Sequence, residues 1–129
     1  MAELKRIACV EDDKGIQAIV ELALTDLGGF EVSVFSDGPS ALEQIEAVDP
    51  QLVILDMMMP KMTGVEVLHA LRAREPFKDT PVIIMTAKAQ SHEVEAYIES
   101  GAQAVIIKPF DPVTLSDQVR KIWDDATVQ

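Results

Sequence analysis

Four stretches of this chain end on groups that could handle a phosphoryl group. Glu11-Asp12-Asp13 puts three carboxylates in a row, Asp56 adds a fourth, Thr86 a hydroxyl and Lys108 an ammonium. Each stands directly behind an apolar run: Ile7 to Val10, Leu52 to Leu55, Val82 to Met85 and Ala104 to Ile107. Carboxylates brought together repel, and each raises the pKa of the others. An ammonium offsets part of that cost, and a divalent cation offsets more. Oxygen-only ligands select a hard ion, which favours Mg²⁺, with Mn²⁺ as the alternative, over zinc. Because Mg²⁺ binds through one or two carboxylates plus phosphate oxygens, the set reads as a site completed by an arriving phosphoryl group. Asp56 is then the nucleophile that becomes an acyl phosphate. Lys108 and the metal neutralise the transferring group, and the Thr86 hydroxyl donates to one of its oxygens. Taken singly, each of these residues is an ordinary loop residue or helix cap. Asp13 in particular fits the cap of the first helix.

The elements that must gather these groups alternate between apolar runs and amphipathic segments. After the first strand, Ile16, Ile19, Val20, Ala23, Leu24 and Leu27 share one helical face, and Gly28-Gly29 ends that helix through a left-handed cap. Val32 to Phe35 is a short second strand. Asp37-Gly38-Pro39 opens a second helix with Ala41, Leu42 and Ile45 inward, and Asp49-Pro50 breaks it. The run Leu52 to Leu55 is apolar throughout, as in a strand covered on both faces. A loop with Pro60 and Gly64 leads to a third helix carrying Val67, Leu68 and Leu71. A fourth helix spans about His92 to Ser100, and Asp111-Pro112 starts a last helix with Leu115, Val119, Ile122 and Trp123 inward. This alternation predicts an α/β, doubly wound parallel sheet with helices on both faces. In such folds ligands bind beyond the carboxyl ends of the strands, which is where the polar groups fall.

Composition narrows the function further. The 129 residues suit one domain, residues 1–129, with a core that needs no disulfide. A net charge of −11 repels a phosphate backbone and argues against direct nucleic-acid binding. Cys9 is the sole cysteine, which rules out an internal disulfide and a cysteine-built zinc site. No apolar run approaches the ~20 residues that span a bilayer, and Met1 to Arg6 lacks a signal-peptide pattern. A cytoplasmic setting without membrane partners is expected. The methionines Met57, Met58, Met59 and Met62 read as loop packing, and His69 and His92 as exposed helix residues.

Four signatures, in this order and at these separations, show that the chain resembles the response-regulator receiver domains of the CheY-like superfamily. They are Cys9-Val10-Glu11-Asp12-Asp13, Leu55-Asp56-Met57-Met58-Met59-Pro60 through Gly64, Met85-Thr86-Ala87, and Ile107-Lys108-Pro109-Phe110. The resemblance covers essentially the whole length. It implies a (βα)5 flavodoxin-like fold with sheet order 2-1-3-4-5. It implies that Asp12 ligates Mg²⁺ directly, that Glu11 acts largely through water, and that the Met58 backbone carbonyl and Asp56 complete the protein's ligands. Thr86, Lys108 and the Ala87 N–H then contact the phosphoryl group, and the Lys108–Pro109 bond is cis. The implied donor is a phosphohistidine on a sensor histidine kinase or a phosphotransfer protein. The implied response is movement of Thr86 and of the face made by the fourth helix, fifth strand and fifth helix. A downstream target protein or a missing output domain reads that face, and a homodimer can also form through it. Beyond slow loss of its own phosphate, no enzymatic turnover is implied.

Two departures from the common pattern matter. Val105 stands where many receivers carry an aromatic switch residue, so the usual coupling to Thr86 cannot operate through that side chain. Met58 and Lys88, each two residues past a site residue, are bulky enough to shield the acyl phosphate, which predicts slow self-dephosphorylation. A dinucleotide-binding enzyme is disfavoured, because Glu11-Asp12-Asp13-Lys14 replaces the glycine-rich turn after the first strand. An aspartyl phosphatase is disfavoured because the best nucleophile lies on the third strand. The remaining alternative is a non-phosphorylated receiver-like interaction module. Only Asp124 to Gln129 follow the last predicted helix, which fits either a single-domain regulator or an excised receiver.

Overall fold

The computed structural model describes residues 3–87 and 90–127. Five parallel strands form one sheet: β1 (Arg6–Val10), β2 (Glu31–Phe35), β3 (Leu52–Asp56), β4 (Val82–Thr86) and β5 (Ala104–Ile107), in the order β2-β1-β3-β4-β5. The helices between them are α1 (Lys14–Glu21), α2 (Gly38–Val48), α3 (Gly64–Arg72), α4 (Ser91–Glu99) and α5 (Leu115–Thr127). This is the doubly wound fold and strand order expected from the sequence.

Side chains on a strand alternate between the two faces of the sheet, and here each face has its own core. Ile7, Cys9, Leu52, Ile54, Ile83, Met85 and Ile106 meet Val20 and Leu24 of the first helix and Leu115, Val119 and Trp123 of α5. Ala8, Val10, Val53, Leu55, Val82 and Ile84 meet Ala41 and Ile45 of α2 and Val67, Leu68 and Leu71 of α3. The central strand β3 is buried along its whole length, which accounts for its unbroken apolar run.

The first helix departs from the simple expectation. After Glu21 it widens into a π-helical segment, Leu22–Leu27. The extra residue per turn shifts the helical phase. Ala23 and Leu24 stay buried, whereas Leu27 emerges 57% exposed and Ile19 is 40% exposed. Gly29 ends the segment with a φ of 76°, in the left-handed region foreseen for the glycine pair. The last helix also begins later than Asp111-Pro112 suggested. Asp111 instead caps a turn, its carboxylate accepting from the Val113 N–H at 2.9 Å, and regular helix starts at Leu115. His69 and His92 are exposed. Met57, Met59 and Met62 pack against the α2–α3 core, as loop packing requires.

Candidate functional site

Strand alternation decides which polar ends meet. Counting on from the core residues, Glu11 follows Ile7 and Cys9, Asp56 follows Leu52 and Ile54, and Lys108 follows Ile106. All three therefore fall on the α1–α5 side of the sheet. The parallel register then brings the ends level, with Val10 beside Leu55, Asp56 beside Met85, and Thr86 beside Ile107. The Lys108 ammonium donates to Glu11 Oε1 at 2.7 Å and to Asp56 Oδ1 at 3.0 Å. Glu11, Asp12 and Asp56 each place a carboxylate oxygen within 4.8 Å of the other two. Thr86, Ala87 and Met58 line the same cleft, which has a volume of about 620 Å³. The Lys108–Pro109 bond is cis, as expected.

Asp13 has a separate job. Its carboxylate accepts from the Ile16 N–H at 3.0 Å and caps α1, so it stands outside the carboxylate cluster. Met58 lines the cleft but is 73% exposed, so in this conformation it gives Asp56 little cover. Lys88, the other residue expected to shield the site, lies outside the described residues.

Electrostatics at the rim follow from burial. Glu11 is wholly buried. Desolvation pushes its carboxyl up to about 7, with proximity to Asp56 adding to the rise and the Lys108 bond opposing it. For Lys108, burial alone would lower the pKa, but its bonds to Glu11 and Asp56 outweigh that and hold it above the ordinary lysine value. The lysine is thus a fixed cation between two carboxylates. Burial also pushes the Cys9 thiol up to about 12, which keeps it a protonated core residue, as its apolar setting suggested.

One supporting residue escaped the sequence reading, and a second, Gly64, was read only as part of a loop signature. Gln17 is buried, and its amide donates to the Glu11 backbone carbonyl and, at 3.1 Å, to Ser36 Oγ. It ties α1 to the ends of β1 and β2. A signal for it existed: Gln17 precedes Val20 and Leu24 at i, i+3 and i+7, so it is a polar residue on the buried stripe. Gly64 lies tight against the backbone of Asp56. A Cβ there would stand 2.7 Å from the Asp56 carbonyl oxygen, so only glycine lets the β3–α3 loop fold back this closely.

Oxygen ligands in this number fit a hard divalent ion. Receiver domains bind Mg²⁺ in an acidic pocket, and the Glu11, Asp12 and Asp56 cluster has that character. Residues 7–120 match the family model described as the response regulator receiver domain. Among curated proteins, the DNA-binding response regulator MtrA of Mycobacterium leprae is 37% identical over 116 residues, covering 90% of this chain and 50% of that protein. The chain thus spans about half the length of such regulators. The chemotaxis protein CheY of Pseudomonas aeruginosa is 30% identical over 119 residues, covering 92% of this chain and 96% of that one. Among solved structures, chemotaxis protein CheY4 of Vibrio cholerae superposes with a TM-score of 0.86 at 29% identity, covering 92% of this chain and 98% of that chain. The BeF3-activated DrrB receiver domain gives 0.80 at 31% identity, with 94% and 98% covered. With this strand order, this acidic rim and a family match over nearly its whole length, the chain belongs to the response-regulator receiver domains of two-component signalling.

Proposed function

We propose that Asp56 accepts a phosphoryl group from a phosphohistidine on a sensor histidine kinase or a phosphotransfer protein, and that the modified domain is read by a downstream protein or an output domain. The observation that carries this reading is the Lys108 ammonium, bonded at once to Glu11 and Asp56 at the floor of an acidic cleft. In the transfer an Asp56 carboxylate oxygen attacks phosphorus, an O–P bond forms, the N–P bond breaks, and the imidazole leaves. Lys108 already touches the Asp56 carboxylate and would neutralise the oxygens that arrive on it. Thr86 and the Ala87 N–H, which line the same cleft, would donate to those oxygens. Glu11, Asp12, Asp56 and the Met58 carbonyl would hold Mg²⁺, which offsets the charge gathered on the transferring group. Gln17 would fix the backbone from which the acidic pair projects.

A donor protein must bring its phosphorus over Asp56, and the surface beside the cleft suits such docking. An apolar groove of about 460 Å³, lined by Ile16, Ile19, Pro109, Phe110 and Pro112, shares Lys108 with the acidic site. The domain, residues 1–129, would work in the cytoplasm, where such donors act. Apart from transfer to its own Asp56 and the loss of that phosphate, no turnover is proposed.

Incubation with acetyl phosphate and Mg²⁺ tests the reading. Intact-mass measurement should show a gain of one phosphoryl group that disappears in Asp56→Asn. No gain with acetyl phosphate, phosphoramidate and a phosphohistidine donor would instead favour a receiver-like module that binds partners without modification.

A further inference from the structure

The cleft does not end at Asp56. It crosses the rim of the sheet and runs on to Gln90, Glu93 and Tyr97. These three stand at i, i+3 and i+7, so they form one stripe along the entry to α4 and the helix itself. The far wall of the phosphoryl site is therefore a helix face.

That helix is lightly held. None of the residues of α4 is fully buried, whereas α3 on the same side of the sheet buries Gly64, Val67, Leu68 and Leu71. Tyr97 is the α4 side chain that packs against the core, the same core on which Val105 of β5 rests. Alternation along the strands places Thr86 and Val105 on this same side. Val105 stands beside Ile84 in the register, and Thr86 is two residues past Ile84. The ring thus shares its side of the sheet with a short aliphatic side chain on β5 and borders the cleft that Thr86 also lines. It is half-buried, and its hydroxyl is held above the ordinary tyrosine pKa by burial and then by the Glu93 charge.

We propose that the Tyr97 ring is the positioning contact through which filling of the cleft at Asp56 sets the stance of α4. The proposal rests on the phosphoacceptor reading above. An acyl phosphate brings roughly −1.5 to −2 charges into the cleft. The wall groups that answer it include the Thr86 hydroxyl on the near side and the Glu93 carboxylate on the far side. Any rearrangement there changes the space open to the ring. Because Tyr97 ties α4 to the core, a ring that shifts carries the helix with it. Two stances of α4 can then exchange populations, to the extent that the filled cleft favours one of them.

The chain has a single tyrosine, which makes the test direct. Protein labelled with meta-fluorotyrosine gives one fluorine resonance in NMR. Beryllofluoride with Mg²⁺ should move that resonance beyond the change Mg²⁺ alone produces, in parallel with amide shifts from Glu93 to Glu99. In Tyr97→Ala the α4 amide response should be lost while beryllofluoride still perturbs the Asp56 amide, and Tyr97→Phe should restore it. A static fluorine resonance in protein whose Asp56 is demonstrably modified overturns the coupling and leaves the phosphoacceptor reading standing. Failure of wild-type Asp56 to take any phosphoryl group or beryllofluoride overturns both. An α4 response that survives unchanged in a folded Tyr97→Ala overturns the role of the ring.

Discussion

Helices α3 and α4 cover neighbouring parts of one sheet face, yet they are buried to different depths. The first follows directly from the loop behind Asp56. It sinks Val67, Leu68 and Leu71 into the core and is capped reciprocally, Thr63 accepting from the Glu66 N–H and Glu66 accepting from the Thr63 N–H. The second follows Thr86 and is also capped, Glu93 accepting from the Gln90 N–H, but it rests on partly buried side chains only. Apolar burial is the main stabilising term, so the first helix is a fixed wall and the second an adjustable one. The Asp56 backbone lies on the side of the first helix and the Thr86 hydroxyl on the side of the second. The phosphoacceptor role proposed above would use that asymmetry, with the chemistry kept in register while a reading surface moves.

Truncations on the two helices should separate them most clearly. Leu68→Ala should cost about 2–5 kcal/mol, through lost burial and the cavity it leaves. Val94→Ala, on the half-buried side of α4, should cost under about 1 kcal/mol. Urea unfolding followed by circular dichroism checks both. Similar losses at the two positions would show that α4 is anchored as firmly as α3.

The buried rim should reveal itself through pH. Burial pushes the Glu11 carboxyl up to about 7 in the folded protein, above the ordinary value of 4.5 that holds in the unfolded chain. Between those values the folded state binds more protons than the unfolded one. Its contribution is therefore fully present below pH 4.5 and is lost as the pH rises through 7, on the order of 3 kcal/mol. Lys108 stays charged throughout this window, because its pKa is raised rather than lowered. Metal-free protein should thus melt at a lower temperature at neutral pH than at pH 5, once the other carboxylates are controlled for with Glu11→Gln, which should flatten the trend. Mg²⁺ favours the carboxylate form and should reverse the slope.

The sequence disclosed the strands and their polar ends because both are written locally. A run such as Leu52 to Leu55 declares a buried strand, and Asp56 declares where it stops. Parallel pairing then follows from topology, so the convergence of Glu11, Asp56 and Lys108 was foreseeable. What remained hidden depends on tertiary packing. The widening of the first helix at Leu22 has no local signature, and Leu27 kept its helical spacing while leaving the buried face. The late start of α5 depends on a turn that Asp111 caps. The part played by Gly64 comes from how closely two backbone segments approach, which no residue pattern states. Tyr97 lay unremarked because an aromatic on a weakly amphipathic helix reads as ordinary packing.

Gly64 makes the next test of the fixed wall. The atoms a Cβ would meet are backbone, the Asp56 carbonyl oxygen at 2.7 Å and Met57 Cα at 3.1 Å, and cannot rotate aside. Gly64→Ala should therefore cost about 1–3 kcal/mol and slow phosphoryl uptake, since the loop can relieve the overlap only by moving Asp56. Stop-flow uptake from acetyl phosphate reads the second effect.

The smallest effect expected is at the helix caps, where it sharpens the same contrast. Thr63→Ala removes a side-chain acceptor from the Glu66 N–H and should cost about 1 kcal/mol. At α4 the Glu93 carboxylate accepts from the Gln90 N–H at 2.9 Å. Losing that bond from an exposed helix start should cost about 0.5 kcal/mol. The interest lies in where each loss appears. Hydrogen exchange should rise throughout α3 and the Asp56 loop in Thr63→Ala, because those segments open together. In Glu93→Ala the rise should stay within α4, with β4 protected, because that helix can loosen without the sheet. Exchange spreading from α4 into β4 would mean that the two helices share one cooperative unit, and the division between a fixed and an adjustable wall would not hold.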